Sequence, residues 1–133
     1  MTRLALDTSA YSHFKVGHEP VVALIDSADW LGVPVVVLGE LRSGFELGKR
    51  RDQNERDLAR FLQNPVVHVL DVDDAASSIY ADIVVALRTA GTPVPTNDVW
   101  IAAVSAREGA TVLTYDAHFR NIGRVGSQVL SKS

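Results

Sequence analysis

The sequence predicts an α/β domain: a central, mostly parallel β-sheet flanked by helices on both faces. Short runs rich in Val, Leu and Ile stand at 4–6, 33–38, 66–70 and 111–114, with a further one at 129–130. They are continuous rather than alternating, as strands covered on both faces are. Segments of helix length separate them, which is the pattern of a parallel sheet with crossover helices. At 133 residues and 47% hydrophobic content, the chain reads as a single domain over 1–133.

Each element has its own signals. Run 4–6 is the first strand. Glu19-Pro20 opens a helix carrying Val21, Val22, Leu24, Ile25 and Ala28; proline suits its first turn, and Gly32 lies near its expected end. Run 33–38 reads as the second strand. The stretch 40–49 continues into the charged stretch 50–63, where Leu58, Phe61 and Leu62 form an apolar stripe, and predicts a helical pair or arm. After run 66–70, Asp73 or Asp74 caps a long helix through Ala76, Ile79, Tyr80, Ile83, Val84 and Leu87, stopped by Gly91 and Pro93. A final helix runs over about 97–108 and ends at Gly109. No internal repeat or linker marks a second domain.

Composition excludes several functions. Thirteen Lys and Arg against 16 Asp and Glu give a net charge of −3, which argues against coating nucleic acid by bulk positive charge. Without cysteine there is no disulfide scaffold, thiol nucleophile or thiolate zinc site, so a metal is held by oxygen or histidine, oxygen being the default. Every apolar stretch falls well short of the ~20 residues a membrane span needs. The first residues meet Asp7 and hydroxyls at once, unlike a signal peptide, and predict a cytoplasmic protein.

In open parallel sheets ligands bind beyond the carboxyl ends of the strands, and here those positions are acidic. Asp7 follows run 4–6, Glu40 follows run 33–38 after one glycine, Asp71 follows run 66–70, and Asp116 follows run 111–114. Asp98 adds a carboxylate in the first turn of the last helix. Helix capping suffices for Asp71, Asp73 and Asp74, competes with function at Asp98, and accounts less well for Asp7, Glu40 and Asp116. Clustered carboxylates repel one another unless cations neutralise them, and an all-oxygen set favours Mg²⁺ or Mn²⁺. Such sites suit phosphodiester hydrolysis, because bound ions acidify a water and steady the leaving oxygen. Thr8, Ser9 and Thr114 lie where they orient a carboxylate or touch a phosphate, although both residue types are also ordinary caps.

Four segments in order, Leu6-Asp7-Thr8-Ser9, Gly39-Glu40-Leu41, Asn97-Asp98-Val99-Trp100-Ile101-Ala102-Ala103 and Leu113-Thr114-Tyr115-Asp116-Ala117-His118-Phe119, resemble the PIN-domain family. The nearest branch is the VapC-like ribonuclease toxins of type II toxin–antitoxin (VapBC) pairs, and the likeness covers essentially the whole chain. It implies a PIN-like fold and a Mg²⁺-dependent endoribonuclease, with Mn²⁺ as substitute, that cuts single-stranded RNA, tRNA or rRNA being the expected class. The implied catalytic and metal-binding residues are Asp7, Glu40, Asp98 and Asp116. The implied partners are a VapB-like antitoxin, along grooves near 21–28 and 40–61, and a second copy of the chain. Tyr115 departs from the basic or amide residue common in relatives, and Tyr11-Ser12-His13 from their aliphatic run; both bear on substrate choice.

Other residues have two readings. Arg42, Lys49, Arg50, Arg51, Arg56 and Arg60 read as a solvated face paired with the interleaved acids Asp52, Glu55 and Asp57, in preference to a phosphate track. Arg120 and Arg124, close behind Asp116, are the better RNA contacts. Trp100 reads as packing or a dimer interface before a base stack. Phe14, Phe45 and Phe61 fit core or antitoxin groove equally. His13, His18 and His68 lack metal-ligand spacing, and His118 fits either a solvated loop or an RNA contact. An aspartyl-nucleophile phosphatase needs a second acid where Ser9 stands, and a receiver domain needs a lysine soon after run 111–114. No nucleotide-binding glycine motif occurs. General RNA processing, or a silent PIN-like binding module, are the remaining alternatives.

Overall fold

The computed structural model describes residues 2–132. Its elements run β1 (Leu4–Leu6), α1 (Thr8–Lys15), α2 (Glu19–Asp26), β2 (Leu31–Pro34), α3 (Val35–Leu47), α4 (Arg51–Leu62), β3 (Val67–Leu70), α5 (Asp74–Ala90), α6 (Thr96–Arg107), β4 (Thr111–Thr114), a 3₁₀ turn (Ala117–Asn121) and β5 (Ser127–Val129). The five strands form one sheet in the order β3-β2-β1-β4-β5, every pairing parallel. The chain winds outward from β1 through β2 to β3, then crosses by α5 and α6 to β4 on the other side of β1. The boundary between β1 and β4 is therefore the topological switch point, where parallel sheets open a crevice at their carboxyl ends.

Side-chain alternation along β1 shows how the sheet is covered. Leu4 and Leu6 enter the main core with Val33, Ile83, Val112 and Phe119, whereas Ala5 joins a second cluster with Leu70, Ala76, Val104 and Ala110. Both faces are dry at β1, as its unbroken apolar run requires, whereas edge strand β3 exposes His68 and Val69.

Three elements differ from expectation. Run 33–38 is not a strand throughout: β2 ends at Pro34 and α3 starts at Val35 with no loop between them. An unbroken apolar run suits a buried strand and a buried helix equally, and the boundary falls at the proline, whose φ of −57° and ψ of 139° still belong to extended chain. Glu40 consequently lies in the second turn of α3, not at a strand end. Gly32 does not close α2, which stops at Asp26; it lies inside β2, where an added Cβ would meet Leu70 Cδ1 at 2.8 Å and the Trp30 ring at 2.9 Å. Helix α1 had no apolar periodicity to announce it, since only Ala10 and Tyr11 of its eight residues are buried. Elsewhere Asp73 caps α5 through the Ala76 amide, and Gly91 and Gly109 follow α5 and α6 with φ of 68° and 64°, as their places require.

The loop after β4 is pinned by Phe119, which is completely buried. Phe119→Ala is expected to lower the unfolding free energy by about 3–5 kcal/mol, by lost burial plus a cavity, as read from urea denaturation.

Candidate functional site

Asp7 leaves the end of β1 and caps α1. Its carboxylate accepts the Ala10 amide at 2.9 Å, the Ser9 hydroxyl at 2.8 Å and the Thr114 hydroxyl, and its residue is only 4% exposed. Thr114, fully buried at the end of neighbouring β4, donates to Asp7 and accepts the Asp116 amide at 2.9 Å. One hydroxyl thus ties the ends of the two switch-point strands together. Asp116 caps the 3₁₀ turn through the His118 amide at 2.9 Å, with the His118 ring 3.1 Å away. Capping was expected to explain Asp7 and Asp116 poorly. Both in fact cap the helical turn that follows them, Asp7 directly after β1 and Asp116 two residues after the end of β4.

Glu40, from α3, accepts the Thr8 hydroxyl at 2.7 Å, and Asp98 enters from the first turn of α6. The four carboxylates face one another electrostatically. Burial, then the charges of Asp116, Asp7 and Glu40, push the Asp98 carboxyl up to about 6, with His118 opposing. Burial also raises Asp7, against the lowering effect of the Thr114, Ala10 and Ser9 donors, with Asp116 adding to the rise. Among the described residues, no three acids or histidines already stand in a metal-ready cage. The donor set itself is hard oxygen throughout, and its unrelieved negative charge fits a divalent cation.

The hydroxyl residues therefore brace carboxylates: Thr8 holds Glu40, while Ser9 and Thr114 hold Asp7. Residues 4–125 match the PIN domain. The chain belongs to the PIN-domain family. It is 35% identical over 114 residues to Ribonuclease VapC5 of Mycobacterium tuberculosis, covering 86% of this chain and 83% of that protein. It is 39% identical over 88 residues to Ribonuclease VapC4 of the same organism, covering 66% of this chain and 67% of the other. Among solved structures, VapBC2 of Rickettsia felis bound to a DNA fragment from its promoter superposes with a TM-score of 0.85 at 21% identity, spanning 98% of this chain and 100% of that one. Asp98 lies within electrostatic reach of Asp116, Asp7 and Glu40, the other three acids expected at the site.

The basic arm is a paired surface: Arg42 meets Glu55, Arg51 meets Glu46 and Asp52, and Arg60 meets Asp57. Arg124 pairs with Asp82 of α5 at 3.6 Å, whereas Arg120 stands beside Tyr115 along an open groove. Trp100 stacks on Tyr80 at 3.9 Å, and Phe14, Phe45 and Phe61 pack against the core. Spacing gave no sign of a second cluster. His13 stacks on Tyr115 with centroids 3.9 Å apart, and His18 Nδ1 meets the Tyr115 hydroxyl. Its only legible trace was the unusual pair of segments 11–13 and Tyr115, noted separately.

Between the ordinary Asp value of 3.8 and about 6, folded Asp98 keeps a proton that the unfolded chain releases. Stability from this group therefore falls as pH climbs through that interval, and the loss is complete above it. In chelator, Asp98→Asn is expected to raise Tm at pH 8 by a few degrees, corresponding to about 1 kcal/mol for a half-buried group, and to leave Tm unchanged below about pH 4. Scanning calorimetry across that pH range checks it.

Proposed function

We propose that this PIN domain is a divalent-cation-dependent endoribonuclease, the toxin of a VapBC-type pair held in check by a VapB-like antitoxin. The observation that carries the reading is the convergence of Asp7, Glu40, Asp98 and Asp116 at the β1/β4 switch point, in a chain similar to proteins named ribonucleases. Single-stranded RNA, of the tRNA or rRNA class, is its substrate. The chain works as a homodimer within the toxin–antitoxin assembly.

Asp7, Asp98, Glu40 and Asp116 hold the cation, Mg²⁺ with Mn²⁺ as substitute. When bound, it supplies the positive charge that acidifies water and screens the phosphodiester. The chain's own residues set up the rest. Thr114 and Ser9 fix the Asp7 carboxylate so that no rotamer search precedes substrate binding, and Thr8 does the same for Glu40. Asp98, whose carboxyl is raised by burial and by the charges of Asp116, Asp7 and Glu40, is the group whose crowding a bound cation would relieve. Arg120 contacts an RNA phosphate, which positions the strand without reading its sequence. Arg124, held by Asp82, contributes less.

Purified, antitoxin-free protein is expected to cut total RNA into discrete fragments with Mg²⁺ or Mn²⁺, to stop in excess chelator, and to stop with Asp98→Asn. Cleavage that persists in Asp98→Asn, or in chelator, would overturn the reading. Thr114→Val is expected to reduce the rate by on the order of 10- to 100-fold, the usual effect of losing a ligand-orienting partner, with Thr114→Ser close to wild type. Single-turnover kinetics with an end-labelled oligoribonucleotide separates the two variants.

A further inference from the structure

The cluster of His13, His18 and Tyr115 adjoins the acid pocket without belonging to it. Tyr115 is one residue from Asp116, and its amide donates to the Ser9 hydroxyl at 3.0 Å, the same hydroxyl that donates to Asp7. His13 is fixed through Nδ1 and the Ser9 carbonyl oxygen, 2.8 Å apart, and its ring covers one side of Tyr115 at an interplanar angle of 19°. His18 engages the phenol oxygen. The ring of Tyr115 is therefore held at its rim and on one side, and registered against Asp7 through a single serine.

Tyr115 also lines a groove of about 480 Å³ that runs past Ala117 and Arg120 to Val129, Leu130 and Lys132. Tyr115 lines that groove and neither histidine does. Its chemistry is mixed: an aromatic ring at the end nearest the acids, an apolar strip from the end of β5, and two cations. Among the described residues, neither Arg120 nor Lys132 is paired with a carboxylate. The volume lies within the roughly 300–1,000 Å³ of small-ligand sites. An aromatic ring with neighbouring cations is what an unpaired nucleotide needs, a base on the ring and phosphates on the cations.

We propose that Tyr115, clamped by His13 and His18, is a substrate-positioning residue that receives an unpaired nucleobase of the RNA beside the scissile phosphate, with adjoining phosphates on Arg120 and Lys132. This rests on the ribonuclease reading above. The clamp has a definite purpose: a ring already fixed loses no rotamer freedom when a base lands on it.

The test is steady-state cleavage of a short labelled single-stranded oligoribonucleotide by the full chain in Mg²⁺, across a salt series. Tyr115→Ala is expected to raise KM by on the order of tenfold or more while kcat changes little, and Tyr115→Phe to raise it less, since Phe keeps the stacking ring and loses only the His18 contact. Arg120→Ala and Lys132→Ala are each expected to lower the salt dependence of binding by about one charge, with Arg56→Ala on the arm as the unaffected control. Both are exposed, so they decide the matter if Tyr115→Ala does not fold. Wild-type KM and salt dependence in all three groove variants would overturn the proposal and leave the ribonuclease reading standing. Groove variants that lose affinity for an acidic peptide, while cutting RNA at the wild-type KM, would overturn it in favour of a protein-docking surface. A wild-type protein that neither binds nor cuts RNA would overturn the ribonuclease reading itself.

Discussion

The hydrogen bond from Thr114 to Asp7 joins the carboxyl ends of β1 and β4, the neighbouring parallel strands at the topological switch point. It lies in a dry environment, because Thr114 is fully buried and Asp7 nearly so. A carboxylate in such surroundings survives only if its oxygens are satisfied, and here three donors from two elements do so. Removing any of them leaves a charge short of partners in low dielectric. The same Thr114 oxygen accepts the Asp116 amide, so the turn that presents Asp116 is set by the group that fixes Asp7.

This brace bears on how the fold keeps four acids within electrostatic reach of one another. Asp7 has hydrogen bonds to offset its burial, and Glu40 has Thr8. Asp98 is different: burial and three negative neighbours act on it with only His118 opposing, and it carries the tension of the group. Folds tolerate such local conflict where function needs it, and compensate through packing elsewhere. Here the compensation is the double-faced core around β1, where Leu4, Ala5 and Leu6 are each buried.

Much of this was legible in the sequence, for identifiable reasons. Parallel strands covered on both faces announce themselves by unbroken apolar runs, and acids that follow such runs fall at one edge of the sheet by construction. Asp7 and Asp116 follow from that logic, whereas Asp98 stood out as a carboxylate in the first turn of the last helix. Glu40 was found for a mistaken local reason: the run before it changes from strand to helix at Pro34, and apolar residues alone do not show the change of period. Helix α1 was invisible because its polar residues bind Asp7, Glu40 and Tyr115 instead of lying along a solvent face. The contact of Tyr115 with His18 joins residues 97 positions apart, and no local pattern encodes it.

The same separation has a consequence for how the protein comes into being. Asp7 and Thr114 are 107 positions apart, and β4 enters the sheet between β1 and the still later β5. A ribosome delivers Asp7, Glu40 and Asp98 well before it delivers the strand that braces the first of them, and long-range parallel pairing of this kind forms slowly. Chains that end between residues 98 and 114 therefore carry three of the four acids without the hydroxyl that organises them. The brace forms only once β4 has been made, after the chain has already supplied Asp7, Glu40 and Asp98.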